Sequence, residues 1–422
     1  MVLAAASIDF REREVLTSWS GRFAQSGSAL ASAGATSLTG FAVNAAVSRR
    51  VTSADFGRFS VVYLLLYFGM AVLRSTFGEP LLLTTHLPET NSGAINRWAV
   101  GSAVAAASAL ALAEVIVLFA IFRSAWLVVV LAVLPMLVLQ DVLRYVAFAL
   151  GKPHIAAVSD IAVLLPLPVL LVWHPHGVPI ELLALGLWAV SCSVSAALAS
   201  RHVLNGAPMI QVRRYWGVSR SAAVGSLTEF SATALVLVIP VTLIPIGGSL
   251  VDTATVRVLQ MIFSPITVAH AAAFTLLAPR LTHRAQAGQG MGGLLTTYAL
   301  ILSGCSVALT AVLAATPSLG SWLFPSSYEE ARSVLSTYLI VQLMGVCVGT
   351  VTLGLRATNK YRGVVRVRIV SAVLTPLAAV WAVSVDGVRG FCLTLAAMQL
   401  PVLILGLRLV SKSVQETRGN DA

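Results

Sequence analysis

The chain has 422 residues, 57% of them hydrophobic and 11% charged, with a mean hydropathy of +0.87. A soluble domain carries about 25% charged residues, so this chain cannot clothe its own surface for water, and an all-α polytopic membrane protein is expected. The formal charge of +11 comes without a basic-aromatic patch or nucleic-acid motif, so it points to basic loops against anionic membrane lipid and not to nucleic acid.

The first stretch, "MVLAAASIDFREREVLTSW", mixes acids with bases and lacks a small-residue cleavage pattern. It reads as a cytoplasmic amphipathic segment over 1–21, not a signal peptide. Six stretches of bilayer-crossing length follow, near 22–47, 59–83, 98–122, 125–150, 155–173 and 179–200. The first, with "SGSALASAGATSLTG", is small and polar, so it is expected to face protein or a water-filled cavity. The longest connection is "RHVLNGAPMIQVRRYWGVSR". Its Tyr215 and Trp216 beside Arg213 and Arg214 fit an interfacial linker helix over 201–219. Six further spans are expected near 220–246, 255–279, 292–315, 331–355, 364–384 and 388–409, with a cytoplasmic tail over 411–422. The apolar runs are continuous and lack two-residue alternation, which excludes a membrane β-barrel.

Orientation follows from Lys and Arg. With the N-terminus inside, roughly two-thirds of the 28 basic residues fall on the inner face. Both termini are therefore expected in the cytoplasm, with the chain in the plasma membrane. The run "VSRRVTSADFGRFSVVYLLLYF" is the exception, because it puts Arg49, Arg50 and Arg58 outside.

Two halves are legible. "RFAQSGS" at Arg22 and "RSAAVGS" at Arg220 both read R-x4-G-S. Arg58 and Pro80 match Arg257 and Pro279, and Lys152 matches Lys360, each pair roughly 200 residues apart. Three matches in order support a duplicated six-helix unit, 22–200 and 220–410. Six is even, so the halves share one orientation, related by an axis along the membrane normal, with a central cavity between them.

The opening run also carries a resemblance. Arg50, Asp55, Gly57 and Phe59 in "VSRRVTSADFGRFSVVYLLLYF" resemble the start of polysaccharide exporters of the O-antigen and teichoic-acid flippase type. "WLFPSSYEEARSVLSTYLI" is similar to the segment before their tenth helix. "LRYVAFALGKPHIAAVSDI" and "LGLRATNKYRGVVRVRIV" are similar to their paired fourth-to-fifth and tenth-to-eleventh connections. The wider group is the multidrug/oligosaccharidyl-lipid/polysaccharide (MOP) exporter superfamily. The resemblance implies a twelve-helix alternating-access flippase. Its cargo would be a glycan on a polyprenyl-phosphate carrier, moved to the outer leaflet for cell-surface polysaccharide. The implied partners are membrane lipids and the glycan polymerase or glycosyltransferases of the same pathway, with the chain itself a monomer.

A flippase must shield an anionic head group from hydrocarbon, and arginine suits phosphate because its guanidinium forks two oxygens. The substrate-binding candidates are Arg74, Arg257, Arg144 and Arg58; the ion-coupling candidates are Glu229, Asp141 and Glu79. Arg74 precedes Glu79-Pro80, where the proline would break or kink the helix; pairing with Glu79 is the plainer role for it. Asp141 and Arg144 are three apart and can pair on one helix face. Arg58 and Arg257 are repeat counterparts near the outer face, either at a cavity rim or against lipid phosphate. Glu229 has no base near it in sequence; Glu114 and Asp160 are weaker versions of the same signal, and His270 reads as a packing residue. Cys192, Cys305, Cys347 and Cys392 form no CxxC pair, and neither a metal site nor a cofactor is expected. An alternative on the same fold is a cation-coupled multidrug exporter, which would want an acidic cavity. A membrane glycosyltransferase, polymerase or ligase would want a large outer loop with carboxylates; the histidine pair of "WHPHG" has none beside it. No GxxxxGK[ST] motif is present, and catalysis is not expected. Reporter fusions after His202 should read cytoplasmic and those after Arg123 external. The opposite pattern would overturn both the orientation and the repeat.

Overall fold

The computed structural model describes residues 27–28, 30–83, 89–173, 175, 177–287, 289–358 and 361–419. Among them, all regular structure is helical, as hydrocarbon demands of a chain that must satisfy its backbone internally. The first half holds α1 (Leu30–Ser48), α2 (Ser53–Leu82), α3 (Glu89–Phe122), α4 (Val130–Ala149), α5 (Pro153–Val172) and α6 (Ile180–Val203). The second holds α7 (Val212–Leu237, continued by Ile239–Gly247), α8 (Leu250–Gln286), α9 (Gly292–Ala315) and α10 (Leu335–Ala357). The last rod, Tyr361–Gly419, bends at Asp386 and Gly387, dividing it into α11 (361–385) and α12 (388–419). Gly387 has φ +55 there, a conformation an L side chain would strain.

Nine described segments are long and apolar enough to cross a membrane, the last holding both α11 and α12. With the more polar α7 and α8, the described residues form twelve membrane-length helices, in the expected order. Several boundaries differ from the sequence expectation. The acidic turn placed before α2 is its first turn: the Thr52 hydroxyl accepts from the Asp55 N–H at 3.2 Å and bonds its carboxylate at 2.8 Å. At the start of α8 the Ser249 hydroxyl likewise accepts from the Asp252 N–H, and here the Ser249 N–H also donates to the Asp252 carboxylate. A shared capping device opens both helices and adds a further match between the halves. The expected linker helix over 201–219 is not a separate element. Residues 204–211 are non-helical, and the helix starting at Val212 runs straight into α7.

Packing repeats with the helices. In the first half α4 lies against α3, α5 and α6; in the second α10 lies against α9 and the α11–α12 rod. The halves meet chiefly where α2 packs on α8, and where α7 reaches α2 and α3.

The α2–α8 seam is tightest at the end where both helices begin. A Cβ on Gly57 would sit 1.8 Å from the Leu250 carbonyl oxygen, so only glycine permits this approach. Around it, Ser53 donates to the Ser326 carbonyl, and the Ser326 hydroxyl donates to the Ser48 carbonyl at 3.2 Å. Phe41 meets Phe324 edge-on at 6.2 Å, and the Arg49 guanidinium lies 4.6 Å from the Trp322 ring centroid. These contacts close the two halves at the end away from the basic loops. A Gly57→Leu change should force this end apart. With Ser53→Cys and Ser326→Cys in a background lacking the native cysteines, a short thiol cross-linker should couple the pair efficiently, and adding Gly57→Leu should reduce the yield several-fold.

Candidate functional site

α2 does not run regularly through the membrane. At Arg74–Gly78 it widens into a π-helical turn, with the Glu79 N–H bonding back to the Arg74 carbonyl. Pro80 follows at once and supplies no N–H, so the register slips where the proline would otherwise have broken the rod. Such π turns recur at functional sites, and this one aims Arg74 at α4.

There Arg74 forks Asp141: Nε donates to Oδ2 at 2.7 Å and Nη2 to Oδ1 at 3.3 Å. Arg144 donates to the same Oδ1 through Nη2. Its Nη1 donates to the Thr36 hydroxyl at 3.0 Å and lies 3.8 Å from Asp160 Oδ2. Asp160 also accepts from Ser32 and, at 2.6 Å, from Gln140 Nε2. Ser159 then links to Ser195 of α6, hydroxyl to hydroxyl at 2.6 Å. Two guanidiniums and two carboxylates thus balance in a site where side-chain exposure is 17% for Arg74 and 3% for Asp141. One connected set of polar groups joins α1, α2, α4, α5 and α6. The plainer pairing expected from sequence, Arg74 with Glu79, gives way to Arg74 with Asp141, because the π turn rotates Arg74 toward α4. Glu79 instead reaches Ser75 and, across the seam, Ser226 on α7.

Arg257 is placed differently. It lies on α8, about 10 Å inside the start of the helix, at the junction with α1 and α2. Nε donates to Asn44 Oδ1 and Nη1 to Gln260 Oε1, both at 3.1 Å. Its guanidinium lies 4.6 Å from the Tyr63 ring centroid, with Tyr67 and Tyr338 close by. No described carboxylate lies within 4.0 Å of it. It is a partly buried cation held by neutral groups at the junction of the halves, just beneath the closed end.

The remaining candidates separate. Arg58 pairs with Asp55 on its own helix at 3.3 Å and stays at the rim. Arg50 turns inward and donates to the Leu170 and Leu171 carbonyls at the end of α5, the favoured place for a cation at a helix C-terminus. Glu229 lies on α7, and its side chain is outside the described residues, as are His174, His176, Lys360 and Arg22. Glu114 is buried against Gly69 and Leu134, and its Oε2 has no hydrogen-bond partner. His270 packs on Gly349 and bonds the Tyr298 hydroxyl through Nδ1 at 2.6 Å. No group of three described His, Cys, Asp or Glu side chains could hold a metal. The sequence reading missed the neutral partners: Ser32, Thr36 and Gln140 in the network, and Asn44, Tyr63 and Gln260 around Arg257. The polar character of α1 signalled Ser32, Thr36 and Asn44; Gln140, Tyr63 and Gln260 carried no such signal.

No protein-family profile and no curated protein matches this sequence. Solved structures match over nearly the whole chain. An inward-facing multidrug resistance MATE-family transporter of the MOP superfamily aligns with a TM-score of 0.69 at 14% identity, covering 92% of this chain and 96% of that one. An outward-facing MATE-family transporter of the superfamily aligns at 0.62 and 11%, covering 93% and 95%. A MOP superfamily transporter from Pyrococcus furiosus, described as having a binding pocket of reverse polarity that suggests a different function, aligns at 0.61 and 12%, with the same coverage. The chain has the MATE-like fold.

Removing one member of a buried charge set costs about 3–5 kcal/mol, because the partner is left uncompensated. Arg74→Ala and Asp141→Ala should each lower the thermal midpoint of the purified protein sharply. The double variant keeps Arg144 beside Asp160 and should lose clearly less than the sum of the two. Additive losses would mean that the pair is not coupled.

Proposed function

We propose that this chain is a MOP-superfamily flippase that carries an anionic, lipid-linked glycan across the plasma membrane by alternating access. Arg257 carries the reading. A cation in a membrane seam is costly unless something offsets it, and here its partners are an amide, an amide and a tyrosine ring. Those groups orient a guanidinium without neutralising it. A phosphate arriving between the halves would complete the charge balance with two parallel hydrogen bonds. In the closed-end arrangement Arg257 is screened from the outer side by the Gly57–Leu250 contact, so cargo would reach it from the basic face. Arg74 and Arg144, already balanced by Asp141 and Asp160, then serve to hold the first half rigid behind the cargo. Arg58, paired at the rim, would meet cargo on its way out. The coupling role falls to Glu79, which meets Ser226 across the seam, and to Glu229 of α7, with Asp141 fixed in the network.

A cation-coupled drug exporter is the second reading, since multidrug transporters share this fold. A cationic drug would meet Arg257 unfavourably. The two readings separate in proteoliposomes loaded with a polyprenyl-phosphate-linked glycan. A charge-assisted hydrogen bond is worth about 1.5–3 kcal/mol, so Arg257→Ala should slow flipping by 10-fold or more at unchanged protein level. Arg257→Lys should recover part of the rate, because an ammonium lacks the fork. Wild-type flipping by Arg257→Ala, or drug efflux with no glycan flipping, would overturn the proposal.

A further inference from the structure

A second amphiphile-shaped site lies between α4 and α6 of the first half. α4, α6 and the non-helical strap after α6 enclose a groove of about 560 Å³. This is within the ~300–1,000 Å³ range of ligand-sized pockets. Leu139 and Leu143 of α4 form one wall, Ala196 and Ala197 of α6 the other, and Pro208 of the strap closes the end. Two serines also line it, but both turn away from the space. Ser193 donates to the Ala189 carbonyl at 2.7 Å, and Ser200 to the Ala197 carbonyl at 2.9 Å. The interior is therefore effectively apolar.

The mouth is not. Arg201, in the last turn of α6, lines the groove, is exposed, and has no described carboxylate within 4.0 Å. Lys152 is held beside it, donating to the carbonyl of the next residue, His202, at 2.9 Å. The Arg97 side chain lies over Gly206, which also lines the groove. The strap is fixed in place: the Met209 N–H donates to the Arg97 carbonyl at 3.0 Å, and the Gln211 N–H to the Ser102 hydroxyl at 3.1 Å. The groove is thus pre-formed, hydrocarbon-like inside and cationic at its mouth, at the basic end of the helices. Basic pockets between transmembrane helices at that level bind anionic lipid head groups.

We propose that this groove is a binding site for an anionic glycerophospholipid of the adjoining leaflet, with its phosphate at Arg201 and an acyl chain between α4 and α6. The lipid would brace the strap that connects the two halves. The site is separate from Arg257 and does not depend on the identity of the cargo.

The test uses the full chain, stripped of lipid in a neutral detergent. Phosphatidylglycerol, phosphatidylcholine or inorganic phosphate is added, and retained lipid is counted by native mass spectrometry alongside the thermal midpoint. Phosphatidylglycerol should be retained at least tenfold better than phosphatidylcholine and should raise the midpoint. Arg201→Ala should abolish that preference, and Ala197→Trp, which fills the groove from an exposed position, should abolish retention. Arg280→Ala, an exposed arginine on the second half, should change neither. Equal retention of the two lipids by the wild type, unchanged preference in Arg201→Ala, or displacement of the lipid by inorganic phosphate alone would overturn the proposal. If Ala197→Trp folds poorly, Arg201→Ala decides the matter by itself.

Discussion

Two arginines and two aspartates, largely buried among five helices, govern the first half of this protein. Each charge alone would cost several kcal/mol in that setting. Together Arg74, Asp141, Arg144 and Asp160 cancel, and the hydroxyls and amide around them take up the remaining hydrogen-bonding capacity. The consequence is mechanical. The three helices that carry the charges, α2, α4 and α5, cannot separate without unpairing one, and α1 is tied to them by the Ser32 and Thr36 hydroxyls. The π turn in α2 serves this arrangement, because it delivers Arg74 to Asp141 in the space just before Pro80.

The matching positions of the second half carry different residues. At the 208-residue offset that aligns Lys152 with Lys360, Asp141 falls on Gly349 and Arg144 on Thr352. Gly349 is the residue on which His270 packs. An imidazole–tyrosine contact thus occupies the region where the first half has its ion set. The duplicated unit kept its helix order and its capped starts at α2 and α8, while its polar interior diverged. What the second half contributes instead is Arg257, a charge turned toward the first half with no described carboxylate within 4.0 Å.

The seam between the halves is built from weaker parts. Single hydrogen bonds such as those of Ser53 and Ser326 are worth about 0.5–1.5 kcal/mol net, and an exposed cation–π contact such as Arg49 on Trp322 about 0.5–1. Gly57 lets two backbones touch but adds no side chain to interlock. A rigid half and a readily broken seam are the physical conditions under which one bundle can rock against another. Arg50 does not belong to that seam; it ties α1 to the end of α5. The three arginines of the opening run therefore do three different things, one across the seam, one within the half and one within its own helix.

The sequence by itself determined the class and the order of the helices. Those features rest on hydrocarbon length and on residue spacing, which are properties of a chain read in one dimension. It also revealed the Asp141–Arg144 pair, because three residues is less than one helical turn. It put α2 and α8 too late, taking the capping turns at Thr52 and Ser249 for loops. Only the tertiary structure decided which charges are satisfied. Arg74 and Asp141 are 67 residues apart, Arg144 and Asp160 belong to different helices, and Arg257 meets Asn44 across 213 residues. Whether an intramembrane arginine is a structural counter-ion or a free cation depends on what stands opposite it. That is fixed by helix packing and by the register slip before Pro80, neither of which the sequence carries locally.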